Sequence, residues 1–450
     1  MSTSLRSGAL THTDTASSTL ANIGPAFSIY VTIGAMAELG GYASVYTIIL
    51  AGAVSLVLSG LLGSYANRLP VAGSYVQYVY QCLGQRFSTF AALMIFAGTV
   101  FEFGAVSSAI GRFTAAAIAA TGLPVQIPYP ILSAMMIALV IFLVRRGVKL
   151  AARWTIAALA FEIAALTVFI VFGFIHARDA HALVWSRLNP AHIPHLWTAI
   201  AASFPVVFFL FMGWDNSASL AEETVEARHA VRKSAVAGTI LSGILYLLTT
   251  VIVLMLQSLR TTASQAFPFA NISEHLLVGL VVLIFISSVT STFGALLAMV
   301  NARSRILFGS GRSRVLPARL SELSNARTPT TSLYALAVPG SIIMLGGYFL
   351  HLQQIVGLLA GVGTLYFMMI YALTAFLFPL FIKKCREPIQ PVRHVAIPYV
   401  VGLVLMVPMY ATLVPGPVPS LVTVVIVLTS LALFAAFALV WRPAEIAETP

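Results

Sequence analysis

The chain has 450 residues, of which 59% are hydrophobic and only 9% charged, against roughly a quarter charged in ordinary soluble domains. That composition excludes a water-soluble fold and leaves a chain built to lie in a lipid bilayer. The formal net charge of +11 does not argue for nucleic acid, because in a membrane protein the placement of Lys and Arg is what carries information.

In chain order, residues 1–18 read as a polar cytoplasmic tail. They lack the basic n-region and apolar h-region of a signal peptide, so the first span is expected to stay in the mature protein. Twelve stretches of about 20 apolar residues follow, each long enough to cross a hydrocarbon core of roughly 30 Å as a helix. They are expected at 19–39, 43–66, 88–119, 128–145, 152–176, 196–221, 234–257, 276–308, 332–349, 353–382, 395–414 and 418–441. With the N-terminus in the cytoplasm, all of the 25 Lys and Arg except Arg112, Arg178, Arg187 and Arg260 fall on the cytoplasmic side. That satisfies the positive-inside rule for twelve spans with both termini inside a plasma membrane. Cys82 and Cys385 then face the reducing side, and no disulfide is expected. Trp154, Trp197 and Trp441 sit at span ends, where amphipathic rings favour the headgroup region.

Spans 1–5 (19–176) and 6–10 (196–382) lay over each other as two halves, joined by an outer loop at 177–195 and followed by spans 11 and 12 in 383–450. An odd number of spans per half forces opposite orientations, which is an inverted repeat. Each half opens with a span interrupted at mid-depth: Gly24-Pro25-Ala26-Phe27-Ser28 in span 1 and Gly213-Trp214-Asp215-Asn216-Ser217 in span 6. Such runs free backbone groups that protein, water, ion or substrate must satisfy in lipid, so the paired breaks mark the expected binding site. The plainer reading is a pair of kinks, since Gly and Pro are common in transmembrane helices.

Three stretches resemble the amino acid, polyamine and organocation transporter superfamily. The most specific runs from Phe209-Leu210-Phe211-Met212-Gly213-Trp214-Asp215 to Ala221-Glu222-Glu223-Thr224, similar to the family's aromatic residues, glycine, acid and closing A-E-E-T. Pro70-Val71-Ala72-Gly73-Ser74-Tyr75 resembles the P-x-A-G-G-x-Y segment after span 2. Asn301-Ala302-Arg303-Ser304-Arg305 through Arg312 and Pro317, then Thr328-Pro329, resemble the basic region after span 8. The resemblance covers about residues 19–441. It implies an all-α membrane protein with a LeuT-type 5+5 inverted repeat plus two C-terminal helices, acting as a permease rather than an enzyme. One departure stands out: relatives that bind α-amino acids carry G-S-G at the span 1 break, where bare amides receive the carboxylate, whereas Phe27 stands in that stretch here. Gly24, Pro25, Ala26, Phe27, Ser28, Phe209, Gly213 and Asp215 are the substrate-site candidates that follow.

Each ionisable group at mid-membrane needs a reason, because insertion costs roughly 2.5–3.5 kcal/mol. Glu38, Glu102, Glu162 and Asp215 are the acids in question, and no Lys or Arg is expected at their depth unless Arg112 turns inward. An unpaired buried acid tends to hold a proton, since desolvation disfavours the charged form. Similar family members place a lysine at the position of Glu162, beside the span 1 break, where it replaces a sodium ion and is linked to protonation. Glu162, Asp215 and Glu102 are therefore the proton-coupling candidates, with a protonated packing acid as the alternative for Glu162. Asp215 matches an acid tied to gating in similar antiporters; a substrate-ammonium partner and a helix cap are its other readings. Phe209 matches an aromatic residue that closes over substrate in similar transporters. Ser287, Ser288, Thr290, Ser291 and Thr292 form a hydroxyl run where related folds bind a coupling ion, so sodium is a secondary expectation beside self-bonded hydroxyls. Glu222, Glu223 and Glu226 with Arg228, Arg232 and Lys233 read as an inner gate or as solvated loop charges.

No nucleotide-binding P-loop, zincin motif or nucleophile elbow is present in the sequence, and no metal or cofactor is implied. The expected function is secondary transport of an amino acid or organic amine, proton-coupled and by alternating access, with the bilayer and the small molecule as its partners. An exchanger without net ion drive is the rival within the same fold. A channel or a membrane-embedded enzyme is the rival from another class, and the sequence supplies neither a continuous polar path nor a reactive constellation.

Overall fold

In a medium without hydrogen-bond partners a spanning backbone must satisfy its own groups, and helix is what long apolar runs allow. The computed structural model describes residues 4–122, 126–265, 267–277, 279–351, 355–413 and 419–441, and its described residues form helices and connecting loops without a named strand. Twelve helical segments are long and apolar enough to cross a membrane. Of the expected segments, residues 1–3, 278, 353, 354, 414, 418 and 442–450 lie outside the described set.

Span 1 comprises α1 (His12–Ile23) and α2 (Pro25–Leu39); span 2 is α3 (Ser44–Arg68), followed by the short α4 (Tyr75–Leu83). Spans 3 to 5 are α5 (Gln85–Ala120), α6 (Tyr129–Arg146) and α7 (Val148–Asp179). Span 6 comprises α8 (Leu196–Phe211) and the one-turn α9 (Asn216–Ser219), and span 7 is α10 (Ala227–Leu256). After α11 (Leu259–Ser264) and α12 (Pro268–Leu276), span 8 is α13 (Leu280–Arg312). Spans 9 to 12 are α14 (Thr330–Phe349), α15 (Ile355–Lys384), α16 (Ile397–Leu413) and α17 (Pro419–Val440).

Span 1 runs through the centre of the bundle, its apolar window 83% buried, whereas the window of span 12 is 17% buried at the periphery. Span 1 packs on span 6, span 2 on span 7 and span 3 on span 8. Met135, Ile342 and Leu433 are each more than 60% exposed. Outward aliphatic side chains of this kind belong in lipid rather than water.

Two helix ends differ from the sequence expectation. The first span begins at His12 rather than 19, because Thr11 and Asp14 form a capping box: the Thr11 Oγ1 accepts from the Asp14 N–H and the Asp14 carboxylate accepts from the Thr11 N–H at 2.9 Å. The segment before it is no free tail. Leu5 and Leu10 are buried, and Leu10 pairs in parallel with Thr224, its N–H donating to the Glu223 carbonyl at 2.8 Å while Val225 N–H donates to the Leu10 carbonyl at 2.9 Å. Span 8 runs four residues beyond its expected end, to Arg312, and Arg303 and Arg305 within it are buried.

Candidate functional site

The break in span 1 begins at Gly24, whose φ of +58° turns the chain out of α1 while its N–H still donates to the Leu20 carbonyl. That backbone conformation favours glycine. Pro25 then opens α2 with no N–H to leave unsatisfied. Among the remaining first-turn donors of α2, those of Phe27 and Ser28 hydrogen-bond to protein. The Ala26 backbone amide and the Ser291 hydroxyl face the Glu162 carboxyl, Phe27 N–H donates to Ser291 Oγ at 2.9 Å, and Ser28 N–H donates to the Gly24 carbonyl at 2.8 Å. The Ser28 hydroxyl donates back to the Ile23 carbonyl at 2.7 Å.

The break in span 6 is an extended Met212 followed by Gly213 at φ +108°. A Cβ on Gly213 would lie 2.7 Å from the Asn22 carbonyl carbon, so the two interrupted spans touch at a place with room only for glycine. The Asn22 Nδ2 donates to the Gly213 carbonyl at 3.3 Å, and Asn216 Nδ2 donates to the Ser18 carbonyl at 2.8 Å.

Between the breaks lies a small cavity of about 10 Å³, room for about one water molecule. Of the expected site residues, Phe27, Ser28, Glu102 and Phe209 line it, with Phe27 and Phe209 in edge contact at 6.4 Å between ring centres. Gly24, Pro25, Ala26 and Gly213 shape the breaks without lining the cavity. Asn22, Met212, Ala295 and Met299 also line it, and the sequence reading had not singled them out. Asn22 carried a signal: a polar residue two positions before a mid-membrane Gly-Pro. Toward the far end of α2, Tyr30 packs on Phe267 and Phe269, which closes that side with aromatic rings.

The charges depart from expectation in a definite way. Asp215 is not an unpaired acid: Arg303 from α13 holds it through Nη1–Oδ2 at 2.6 Å and Nη2–Oδ1 at 3.2 Å, with both side chains fully buried. Asp215 therefore stands behind the cavity rather than in it. The Arg303 guanidinium also lies 4.3 Å over the Phe367 ring, a cation–π contact. Arg303 belongs to the segment that resembles the basic region after span 8, yet it lies within α13 and is buried. Arg112 sits 5.0 Å over the Tyr129 ring. Glu223 is likewise buried and paired, to Arg305, while Glu222 pairs with Arg312 and accepts the Ala72 N–H at 2.8 Å. The partners of this acidic pair come from α13, not from Arg228, Arg232 or Lys233.

Glu162 is buried, and its Oε2 has no hydrogen-bond partner. Glu102 is buried with an unpartnered Oε2 as well, whereas Glu38 is exposed. In the hydroxyl run, Ser288, Thr290 and Thr292 donate to carbonyls of their own helix, Ser287 meets the Tyr30 hydroxyl at 2.9 Å, and Ser291 holds α2.

The family described as amino acid permease matches residues 14–450. The chain belongs to that family. The permease is thus a member of the amino acid, polyamine and organocation superfamily and a membrane transporter rather than an enzyme. It is 23% identical to a branched-chain amino acid permease of Lactococcus lactis subsp. cremoris over 72% of each chain. It is 25% identical to a vacuolar cationic amino acid transporter of Arabidopsis thaliana, over 75% of this chain and 58% of that protein. It is also 21% identical to a methylthioribose transporter of Bacillus subtilis, over 64% of each. The match thus spans less than two thirds of the latter two proteins. Its fold is similar to that of a manganese transporter of Eremococcus coleocola, with a TM-score of 0.56 at 12% identity, covering 95% of this chain and 93% of that one.

Proposed function

We propose that the permease is a secondary transporter of a small amino acid or organic amine, driven by protons and working by alternating access. In this reading it lies in the plasma membrane with both termini cytoplasmic, and residues 19–176 and 196–382 are the two inverted halves. The pairing of spans 1 with 6, 2 with 7 and 3 with 8 supports the repeat.

The observation that carries the coupling is the place of Glu162. Its carboxyl faces the Ala26 amide and the Ser291 hydroxyl at the N-terminus of the half-helix α2, the Ser291 hydroxyl in turn taking the Phe27 N–H. A carboxylate there is held by the positive end of the helix and by amide donors. Adding a proton removes that attraction and loosens the grip of α7 and α13 on α2, the element that borders the cavity. Protonation and the conformation of the break are then linked, so whichever side gives access to Glu162 sets the occupancy of the proton. Phe209, at the cavity wall, serves as the closing aromatic residue.

Proteoliposomes under an imposed pH gradient test the reading. Glu162→Gln keeps a neutral, hydrogen-bonding side chain and should retain substrate exchange while losing the response of net uptake to the gradient. Gradient-driven uptake with wild-type pH dependence in that variant would contradict coupling through Glu162. Wild-type exchange without any gradient response would favour the exchanger.

A further inference from the structure

The hydrogen-bonding capacity of the cavity between the breaks is one-sided. Among the described residues lining it, two buried polar atoms have no partner, Glu102 Oε2 and Asn22 Oδ1. Both are acceptors when Glu102 is ionised. The Asn22 amide is oriented by the bond from Nδ2 to the Gly213 carbonyl, which leaves Oδ1 as the free acceptor. Arg303 acts on Glu102 electrostatically, yet it directs both Nη atoms to Asp215. Among the described residues lining the cavity, Glu102 is also the only ionisable one.

The helix ends agree with this polarity. Phe209 and Met212 bring the C-terminal end of α8 to the cavity wall, and that end of a helix favours a cation. The rings of Phe27 and Phe209 offer further attraction to a cation. At α2, where similar family members receive a carboxylate, the Phe27 and Ser28 amides are engaged by Ser291 and Gly24, and the Ala26 amide faces the Glu162 carboxyl. Unpartnered buried donors do occur nearby, at Trp214 Nε1 and the Tyr75 and Tyr371 hydroxyls, but these line a second small cavity that shares no lining residue with the first.

We infer that the cavity takes an organic ammonium ion lacking an α-carboxylate, its N–H groups donating to Glu102 and Asn22 and its apolar part lying against Phe27, Phe209, Met212 and Met299. An ammonium supplies up to three donors and one positive charge, which matches two orphan acceptors and one carboxylate. An α-carboxylate would meet an ionised Glu102 with like charge and find no unpartnered side-chain donor among the described residues lining the cavity. The inference rests on the transport reading above and narrows its substrate class.

The test uses pairs that differ only by the α-carboxylate: leucine and isopentylamine, lysine and cadaverine, arginine and agmatine. Binding is measured on the purified full-length protein and uptake in proteoliposomes. The amine of at least one pair is expected to bind at least tenfold more tightly than its parent amino acid. Glu102→Gln should weaken that amine tenfold or more with the thermal unfolding of the empty protein retained; if that variant does not fold, the wild-type pairs still decide. Amino acids binding as tightly as their amines, or more tightly, in every pair would overturn the inference while leaving transport intact. Loss of that preference in Trp214→Phe would then place the carboxylate in the second cavity. Uptake of neither class would overturn both the inference and the transport reading.

Discussion

Asp215 and Arg303 show how much a single buried charge constrains this molecule. Each is expensive inside the membrane alone, and together they form a bidentate pair whose Coulombic gain depends on geometry. Asp215→Asn leaves the Arg303 charge uncompensated and should destabilise the protein by about 3–5 kcal/mol, read as a lowered unfolding temperature in detergent. Asp215→Asn combined with Arg303→Met removes both charges and should recover most of the loss; a double variant as unstable as the single one would show that the pair is not the cause. Asp215 was legible in the sequence as an acid needing an explanation, but its partner was not. Arg303 lies two residues from Arg305 in a basic run, which reads as the end of a span, and only the packing of α13 shows that the helix carries both inside. Phe209 offers a second test at this scale. Phe209→Ala should speed substrate dissociation about tenfold or more with little change in unfolding temperature, and Phe209→Leu should retain most of the closure if shape rather than the ring face matters. Unchanged transport in both variants would leave Phe209 a packing residue.

At the scale of elements, the two broken spans were readable because Gly-Pro and Gly213 sit where an uninterrupted helix is the default. The N-terminal clasp was not readable. Leu10 reaches Glu223 and Val225 through backbone groups alone, a contact with no side-chain pattern, and the polar composition of residues 1–18 points the other way. The same is true of the acidic pair at Glu222 and Glu223, whose partners lie some 80–90 positions away on α13. These ion pairs and the clasp converge on the segment 221–225, which follows span 6 directly. Removing residues 1–10 should therefore speed amide hydrogen exchange in 221–226 while leaving α5 protected, since exchange reports local opening rather than global stability. Unchanged exchange in that segment would show that Arg305 and Arg312 hold it without the clasp.

At the scale of the whole molecule, composition alone sufficed for an all-helical protein of twelve spans, because lipid leaves the backbone few alternatives and each apolar run is separated by charge or turn residues. Boundaries were less legible where a cap or an ion-paired arginine lies at the helix end, as at Thr11 and Arg312. The orientation rests on the asymmetry of Lys and Arg, and a cysteine in place of exposed Lys149, beside the turn between α6 and α7, should react with an impermeant reagent in inside-out vesicles and not in intact cells. Reaction from outside would invert the topology. The account as a whole claims that the cavity between the two breaks is the transport site and that it opens to one side at a time. Met299 lines that cavity, and Cys82 and Cys385 are the free cysteines, so Met299→Cys in a Cys82→Ser, Cys385→Ser background gives a single reporter. The deciding measurement is the reactivity of that cysteine toward an impermeant thiol reagent in right-side-out and inside-out vesicles. The account predicts reaction from both sides, with conditions that raise it on one side lowering it on the other, and protection by bound substrate on each. Reactivity that rises on both sides together, or that substrate does not reduce, would contradict it.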